Sequence, residues 1–338
     1  MFATKLIVSI FARYNNQRGP SAVYHLFKGK KSGQTIQDVG LFQLYPFFSI
    51  TPKLTKAQYD TYIEKLFAEQ FILLTDENVV VTEKGHQLIE DFRPEGFDGW
   101  HYRGREHAFF KRLALVVQTL SNAPQTMRFL PIEQDGATQR FVKQYLRHYD
   151  FQQPAFQQQF TTQLRTLLEH LQLDERSKQI LVYRLSGYEQ SGYTWHQLEQ
   201  LLKEDVLSLQ LRYISCLHSL INEAQHYPLI ADLTQHIRID QLLTQSTQKT
   251  ATLFYKGYSL EQIAQFRQLK ISTIEDHLAE MAMNDAQFPL TQFVSIDDTA
   301  AIRTQAQTLQ TTKLRAIKEQ LPHVSYFQIR LVLAAKGE

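Results

Sequence analysis

Two stretches of this chain carry the same helix punctuation. Gly192-Tyr193-Thr194-Trp195-His196-Gln197-Leu198-Glu199-Gln200 aligns with Gly257-Tyr258-Ser259-Leu260-Glu261-Gln262-Ile263-Ala264-Gln265. Each follows an apolar run: Ile180, Leu181, Tyr183 and Leu185 in one, Leu253, Phe254 and Tyr255 in the other. Glycine ends a helix because it takes a left-handed backbone at no steric cost; Thr or Ser then caps the next helix by accepting a bond from its first turn. Leu198 and Ile263 fall one turn on and point inward. This is the first half of a helix-turn-helix, written twice. The second copy continues as a helix over 259–267, a turn over 268–271 and a second helix over 272–281, capped by Ser272 or Thr273. Ile263, Ile274 and Leu278 form its small core. The first copy is looser: a turn over 203–205, then a long helix through Leu207, Leu211, Ile214 and Leu217.

The composition agrees with a helical chain. There are 39 glutamines against 13 glycines and 10 prolines, and Gln is a good helix former without charge. The glutamines are dispersed except at Gln152–Gln153 and Gln157–Gln159, so they form no prion-like tract. Near the N-terminus, Pro20 and Gly29 bracket a helix through Val23, Tyr24, Leu26 and Phe27. Thr35 with Asp38 resembles a cap for a helix through Val39 and Phe42. Thr55 caps a third, with Tyr59, Tyr62, Ile63, Leu66 and Phe67 on one face. Residues 71–75 and 79–82 are β-prone runs around Asp76-Glu77-Asn78, a hairpin signal, and a short helix through Leu88 and Ile89 closes the unit. Helices followed by a hairpin give the order of a winged helix. The expected class is therefore mainly α: a multi-domain helix-turn-helix protein with a winged-helix-like N-terminal domain and one short β-hairpin. Expected domains are 1–95, 96–244 with the looser repeat copy, and 245–338. The linker-like stretches are Gly96–Gly104, the Pro154 region and Gln245–Gln248.

No catalytic constellation is present. Gly29-Lys30-Lys31-Ser32 ends like a phosphate-binding loop, but Tyr24 stands where the first glycine belongs. No Gly-x-Gly-x-x-Gly, His-Glu-x-x-His or Gly-x-Ser-x-Gly occurs. The twelve histidines are scattered. The expectation is a protein that is not an enzyme and needs no cofactor or metal. The single cysteine, Cys216, forbids an internal disulfide and fits a reducing compartment. Residues 6–11 are too short for a signal-peptide core, and no uncharged apolar run of about 18 residues exists to span a membrane. A cytoplasmic protein is expected.

The net charge of +2 hides an alternation. Residues 1–37 carry six basic groups and no acidic one, residues 38–95 net −5, 96–150 net +3, 151–245 net −3 and 246–338 net +1. Local basic patches of this kind can meet phosphate. One candidate set is Lys28, Lys30 and Lys31 with Gln34 and Thr35. A second is Arg103, Arg105, Lys111 and Arg112, interleaved with His101, Tyr102, Phe109 and Phe110, of which the two phenylalanines read as core. A third is Arg303, Lys313, Arg315, Lys318, Arg330 and Lys336. In a helix-turn-helix the second helix of the pair offers its N-terminal residues to the groove, here Ser272, Thr273 and His277. Glu275 and Asp276 beside them suit the helix dipole but repel a phosphate backbone, so groove reading and packing both stay open for this helix.

From about residue 245 onward the chain resembles the helicase helix-turn-helix domain at the C-terminal end of RecQ-type helicases. The matching residues are Thr252, Phe254, Gly257, Ser259-Leu260-Glu261, Ile263-Ala264, Ser272-Thr273-Ile274 and His277-Leu278, then Leu314, Ile317-Lys318, Leu321-Pro322, Ser325-Tyr326 and Ile329-Arg330-Leu331-Val332-Leu333. The whole chain resembles the YpbB family, through Tyr24-His25-Leu26, Lys28-Gly29-Lys30-Lys31, Gln34-Thr35, Gln37-Asp38, Tyr183-Arg184-Leu185, Gly187-Tyr188, Thr194 and Gln197-Leu198. Residues 175–225 resemble region-4 modules of sigma factors. The resemblance implies helicase-associated work, whereas the missing phosphate loop leaves no motor in this chain. The expectation is a DNA-binding accessory that recruits or positions a RecQ-like helicase, acting in trans, in repair or recombination. Single-stranded or forked DNA is the expected ligand, with no membrane partner. A DNA-binding transcription regulator and an interaction adaptor without DNA contact are the alternatives.

Overall fold

The structure, a computed structural model, describes residues 1–240 and 242–335. Among these the chain forms nineteen α-helices and one antiparallel hairpin. In chain order the first half holds α1 (Phe2–Tyr14), α2 (Ser21–Lys28), α3 (Gly33–Leu41), α4 (Lys56–Ala68), β1 (Ile72–Thr75), β2 (Asn78–Val81), α5 (Glu83–Ile89), α6 (Gly99–Tyr102), α7 (Glu106–Asn122), α8 (Gly136–His148) and α9 (Pro154–His170). Then come α10 (Glu175–Tyr183), α11 (Trp195–Leu202), α12 (Val206–Glu223), α13 (Pro228–Ala231), α14 (Gln245–Phe254), α15 (Leu260–Arg267), α16 (Ile271–Asn284), α17 (Ile296–Thr308), α18 (Leu314–Gln320) and α19 (Tyr326–Ala334). No helix among the described residues is long and apolar enough to cross a membrane.

Packing divides these elements into two units, neither of them continuous in sequence. The first comprises Met1–Ile7, Ser49–Leu54 and Leu88–Asp240. The second comprises Val8–Phe48, Thr55–Gln87 and residues 242–335. The divisions expected from the sequence lie after residues 95 and 244. The grouping differs: the N-terminal helices and the C-terminal helix-turn-helix share one unit. The physical cause is α3, where Thr35 through Gly40 are all buried and the partners that bury them include α16 and α19.

The first unit is built around α12. Its apolar residues face all sides, with Leu207, Leu209, Leu211, Ile214, Leu217 and Leu220 buried, as a helix in the middle of a core requires. α10, α11 and α7 pack on it. Asp205 caps it, accepting from the Ser208 backbone N–H at 2.9 Å. Phe109 and Phe110 are core residues, as their spacing implied. The stretches read as linkers are structured instead. Pro154 opens α9, Gly99–Tyr102 is α6 with Trp100 and Tyr102 buried, and Gln245 opens α14.

In the second unit, Gly29 ends α2 in a left-handed turn (φ 68°). Thr55 and Gln58 form a reciprocal capping box at the start of α4. The hairpin turns on Asp76 and Glu77, both with positive φ, the geometry that matches strand twist in a two-residue loop. Thr35 and Asp38 do not form a cap. α3 begins at Gly33, and Asp38 is buried inside it, taking Arg18 Nε at 2.9 Å and Nη2 at 2.6 Å.

Candidate nucleic-acid interface

The helix-turn-helix of the second unit is α14–α15–α16. A capping box starts α15: the Gln262 backbone N–H donates to Ser259 Oγ at 3.3 Å, and the Ser259 N–H to Gln262 Oε1 at 2.9 Å. Gln268 takes the left-handed turn (φ 53°) that ends it. α16 then begins after Lys270, with no side-chain cap. Ser272 and Thr273, the expected caps, lie within its first turn. Ile263, Ile274 and Leu278 are fully buried, as expected of the motif's core.

Most of α16 is unavailable to a groove. His277 through Met283 are all buried. On the side towards α14, Glu280 accepts from the hydroxyls of Thr244 (3.1 Å) and Thr247 (2.5 Å) and from the Thr244 N–H. His277 Nδ1 lies 2.8 Å from Thr250 Oγ1; burial first, and the Arg267 charge second, push its pKa down to about 4. On another side α3 lies against it. A Cβ built on Gly40 would fall 1.9 Å from Met283 Sδ, and one on Gly33 would fall 2.3 Å from Asp276. Two glycines a heptad apart let the backbones approach this closely.

That approach gathers residues which the sequence scatters. The basic loop Lys28-Gly29-Lys30-Lys31 ends two residues before Gly33, the residue of α3 that lies against Asp276 of α16. There Ser272 is exposed and Thr273 half-buried, and Lys30, Lys31 and Lys270 are exposed. Asp276 pairs with Arg330, and burial pushes its carboxyl upward even against that positive charge. Burial raises the Glu275 carboxyl as well. The Arg330 guanidinium offsets the charge of Asp276, while Glu275 still opposes a phosphate at this helix end.

The comparisons with known proteins fit this geometry. A family described as Helix-turn-helix domain matches residues 246–333, the span of α14 to α19. Protein YpbB of Bacillus subtilis (strain 168) is 34% identical over 342 residues, covering 97% of this chain and 96% of that protein. The chain belongs to the YpbB family. No solved structure matches it.

In this YpbB-family chain the other expected contacts have structural occupations. Arg103 lies 4.3 Å over the Trp100 ring. Arg112 lies 3.8 Å over Phe141 and donates to the carbonyls of Leu233 and Gln235. Lys111 pairs with Glu133 at 3.5 Å. Of that cluster Arg105 alone is exposed. Lys318 donates to the carbonyls of Pro322 (2.7 Å) and Val324 (2.6 Å) and so closes a helix end. Arg315 is exposed and pairs with Glu319, and Lys313 is exposed. Gln34 is exposed and donates to Asp38 at 2.7 Å, while Thr35 is buried with its hydroxyl 3.0 Å from Ser32 Oγ. Arg330 is paired with Asp276 and His277 is buried against Thr250. Lys336 lies outside the described residues. Lys270 was missed by the sequence reading. Its signal was its place in the turn, one residue before the helix dipole begins.

The first copy repeats the architecture except at its glycine: α10 already ends at Tyr183, nine residues before Gly192, and Gly192 takes no positive φ, so it does not end a helix as expected. Thr194 and Gln197 form the same capping box, and Lys203 takes the same left-handed turn (φ 54°). Its third helix, α12, is the buried centre of the first unit. Both copies therefore use their third helix as a core element.

Proposed function

We propose that this protein is a non-catalytic DNA-binding accessory that recruits or positions a RecQ-like helicase in DNA repair or recombination. The observation that supports DNA contact is the packing of Gly33 on Asp276, which ties the start of α3, two residues after the exposed Lys31, to the helix that exposes Ser272 in its first turn. Lysines in a loop and the open N–H groups of a helix start make a phosphate-binding surface that needs no base reading. The burial of α12, and of α16 from His277 onward, counts against a regulator that reads a duplex sequence, because it leaves only the first turns of α16 to face a groove. A structure-selective ligand, forked or single-stranded DNA, fits better. The helicase partner rests on the resemblance to the RecQ-associated domain together with the absent phosphate loop, which assigns ATP hydrolysis to another chain.

The test has two parts. Lys28, Lys30 and Lys31 changed together to Ala should weaken fork binding and flatten the slope of log affinity against log salt by about 2–3. An unchanged slope removes this loop as the phosphate site. Co-purification of the intact chain from cell extract, with nuclease added, should recover a RecQ-type helicase; its absence with and without DNA would defeat the accessory role.

A further inference from the structure

Three aromatic side chains stand out of the helix-turn-helix domain. Tyr255 is 58% exposed, Tyr258 37% and Phe266 65%. None of them belongs to the domain's apolar core, which takes Leu253, Phe254, Leu260 and Ile263 from the same segment. Tyr258 and Phe266 meet edge to face, ring centroids 5.2 Å apart. Phe266 shares the outer face of α15 with Gln262 and Gln265, also exposed.

We propose that Tyr258 and Phe266 form a stacking platform for the bases of a single-stranded nucleic acid; Tyr255, whose hydroxyl donates to Asp285 at 2.7 Å, is not part of it. The charge around them favours that occupant over a protein. Residues 246–274 hold the exposed Lys249, Lys256 and Lys270 against one acid, Glu261, which accepts from the Ser259 hydroxyl at 2.8 Å; Arg267 is engaged by Ser246 and Thr250. Lysines at both ends of α15 can follow a phosphate backbone while the rings take bases, and the Gln amides can both donate to and accept from base edges. The first repeat copy serves as an internal contrast. There Leu201 occupies the place of Phe266, Tyr193 is half-buried against Tyr183 at 5.6 Å, and residues 181–209 carry four acids against two bases. The platform is confined to the second copy.

This site rests on the reading that the chain binds DNA, and it adds the residues that take the bases of a single strand. The full chain would be titrated with fluorescein-labelled oligo-dT, with an abasic oligonucleotide of equal length and with a hairpin duplex. Removal of both rings, Tyr258→Ala with Phe266→Ala, should weaken oligo-dT binding by about tenfold or more and leave the duplex affinity within about twofold, given typical base–aromatic stacking strengths. Phe266→Trp should retain oligo-dT binding and lose indole fluorescence as bases stack on it. Thermal melts of the variants should match the parent, since both rings lie outside the core. Equal oligo-dT affinity of the parent and the double variant overturns the platform, as does equal binding of abasic and dT strands. In either case the wider reading stands if the lysine-loop variant still loses duplex or fork binding. No binding of any strand by the parent at low salt overturns both.

Discussion

His277 shows what burial does to one side chain in this protein. It is the position a groove-reading helix would offer to DNA, yet it is closed against Thr250 and held neutral, with a pKa of about 4 against 6.5 in the open chain. A base whose folded pKa is depressed stabilises the fold above the unfolded pKa and loses that contribution as pH falls through the folded one. Stability of the second unit should therefore decline between about pH 6.5 and 4, by about 3 kcal/mol from this residue. Urea unfolding at pH 7, 5 and 4 checks it: His277→Gln should show a shallower decline than the parent, and parallel curves would refute the assignment. Asp38 is the complementary case. Its carboxylate is buried, bound through both oxygens by Arg18, and Arg18 itself lies 5.1 Å from the Phe42 ring. Removing one partner leaves a buried charge alone, so Asp38→Ala should cost about 3 kcal/mol or more in denaturant unfolding. Arg18→Met with Asp38→Leu should recover much of that loss.

At the level of elements, four helix starts use one device. Thr55–Gln58, Thr194–Gln197, Ser259–Gln262 and Ser325–Gln328 are all reciprocal capping boxes with Gln as the third residue. Part of the glutamine surplus is thus local punctuation, able to cap without adding charge. Ser259→Ala should cost about 1 kcal/mol, read as a lower melting temperature with unchanged helix content. The α3–α16 crossing is a second element-level feature. Gly40 has no room for a side chain while Met283 keeps its place. Gly40→Val should destabilise by about 1–3 kcal/mol, and adding Met283→Ala should return part of the loss. A double-mutant cycle with no coupling would show that the two helices do not depend on this contact.

On the scale of the whole molecule, the second unit is assembled from residues 8–48, 55–87 and 242–335, so its C-terminal part is not expected to be self-sufficient. A fragment carrying residues 242–338 alone would expose the α3-facing side of α16, including Ala279 and Met283, which are buried in the full chain. It should bind a hydrophobic dye and unfold less cooperatively than the unit does in the intact protein. Sharp unfolding of that fragment without dye binding would mean that α3 is dispensable to it.

Local chemistry was legible in the sequence. Pro20 and Gly29 bracketed α2, Thr55 marked α4, Asp76 and Glu77 set the hairpin, and the repeated Gly-Tyr-Thr/Ser punctuation located both helix-turn-helix units. Each of these is a short-range preference for a backbone geometry, which neighbouring residues alone can satisfy. Burial was not legible. The run Ser272–His277 reads equally well as a groove-reading face or as a packed one, because its periodicity fixes a helix but not its neighbours. Thr35-x-x-Asp38 has the spacing of a cap, and only the position of Arg18 in space makes Asp38 a buried ion-pair partner. Arg103, Lys111 and Arg112 counted as free charge in the sequence and proved to be engaged by a ring, a carboxylate and carbonyls. The sequence by itself determined where helices begin and end, because those choices are made within one turn. Which helices are covered, and hence which basic residues remain to meet a phosphate, was decided by tertiary contacts, from the pairing of Lys111 with Glu133 to the crossing of Gly40 and Met283, more than two hundred residues apart.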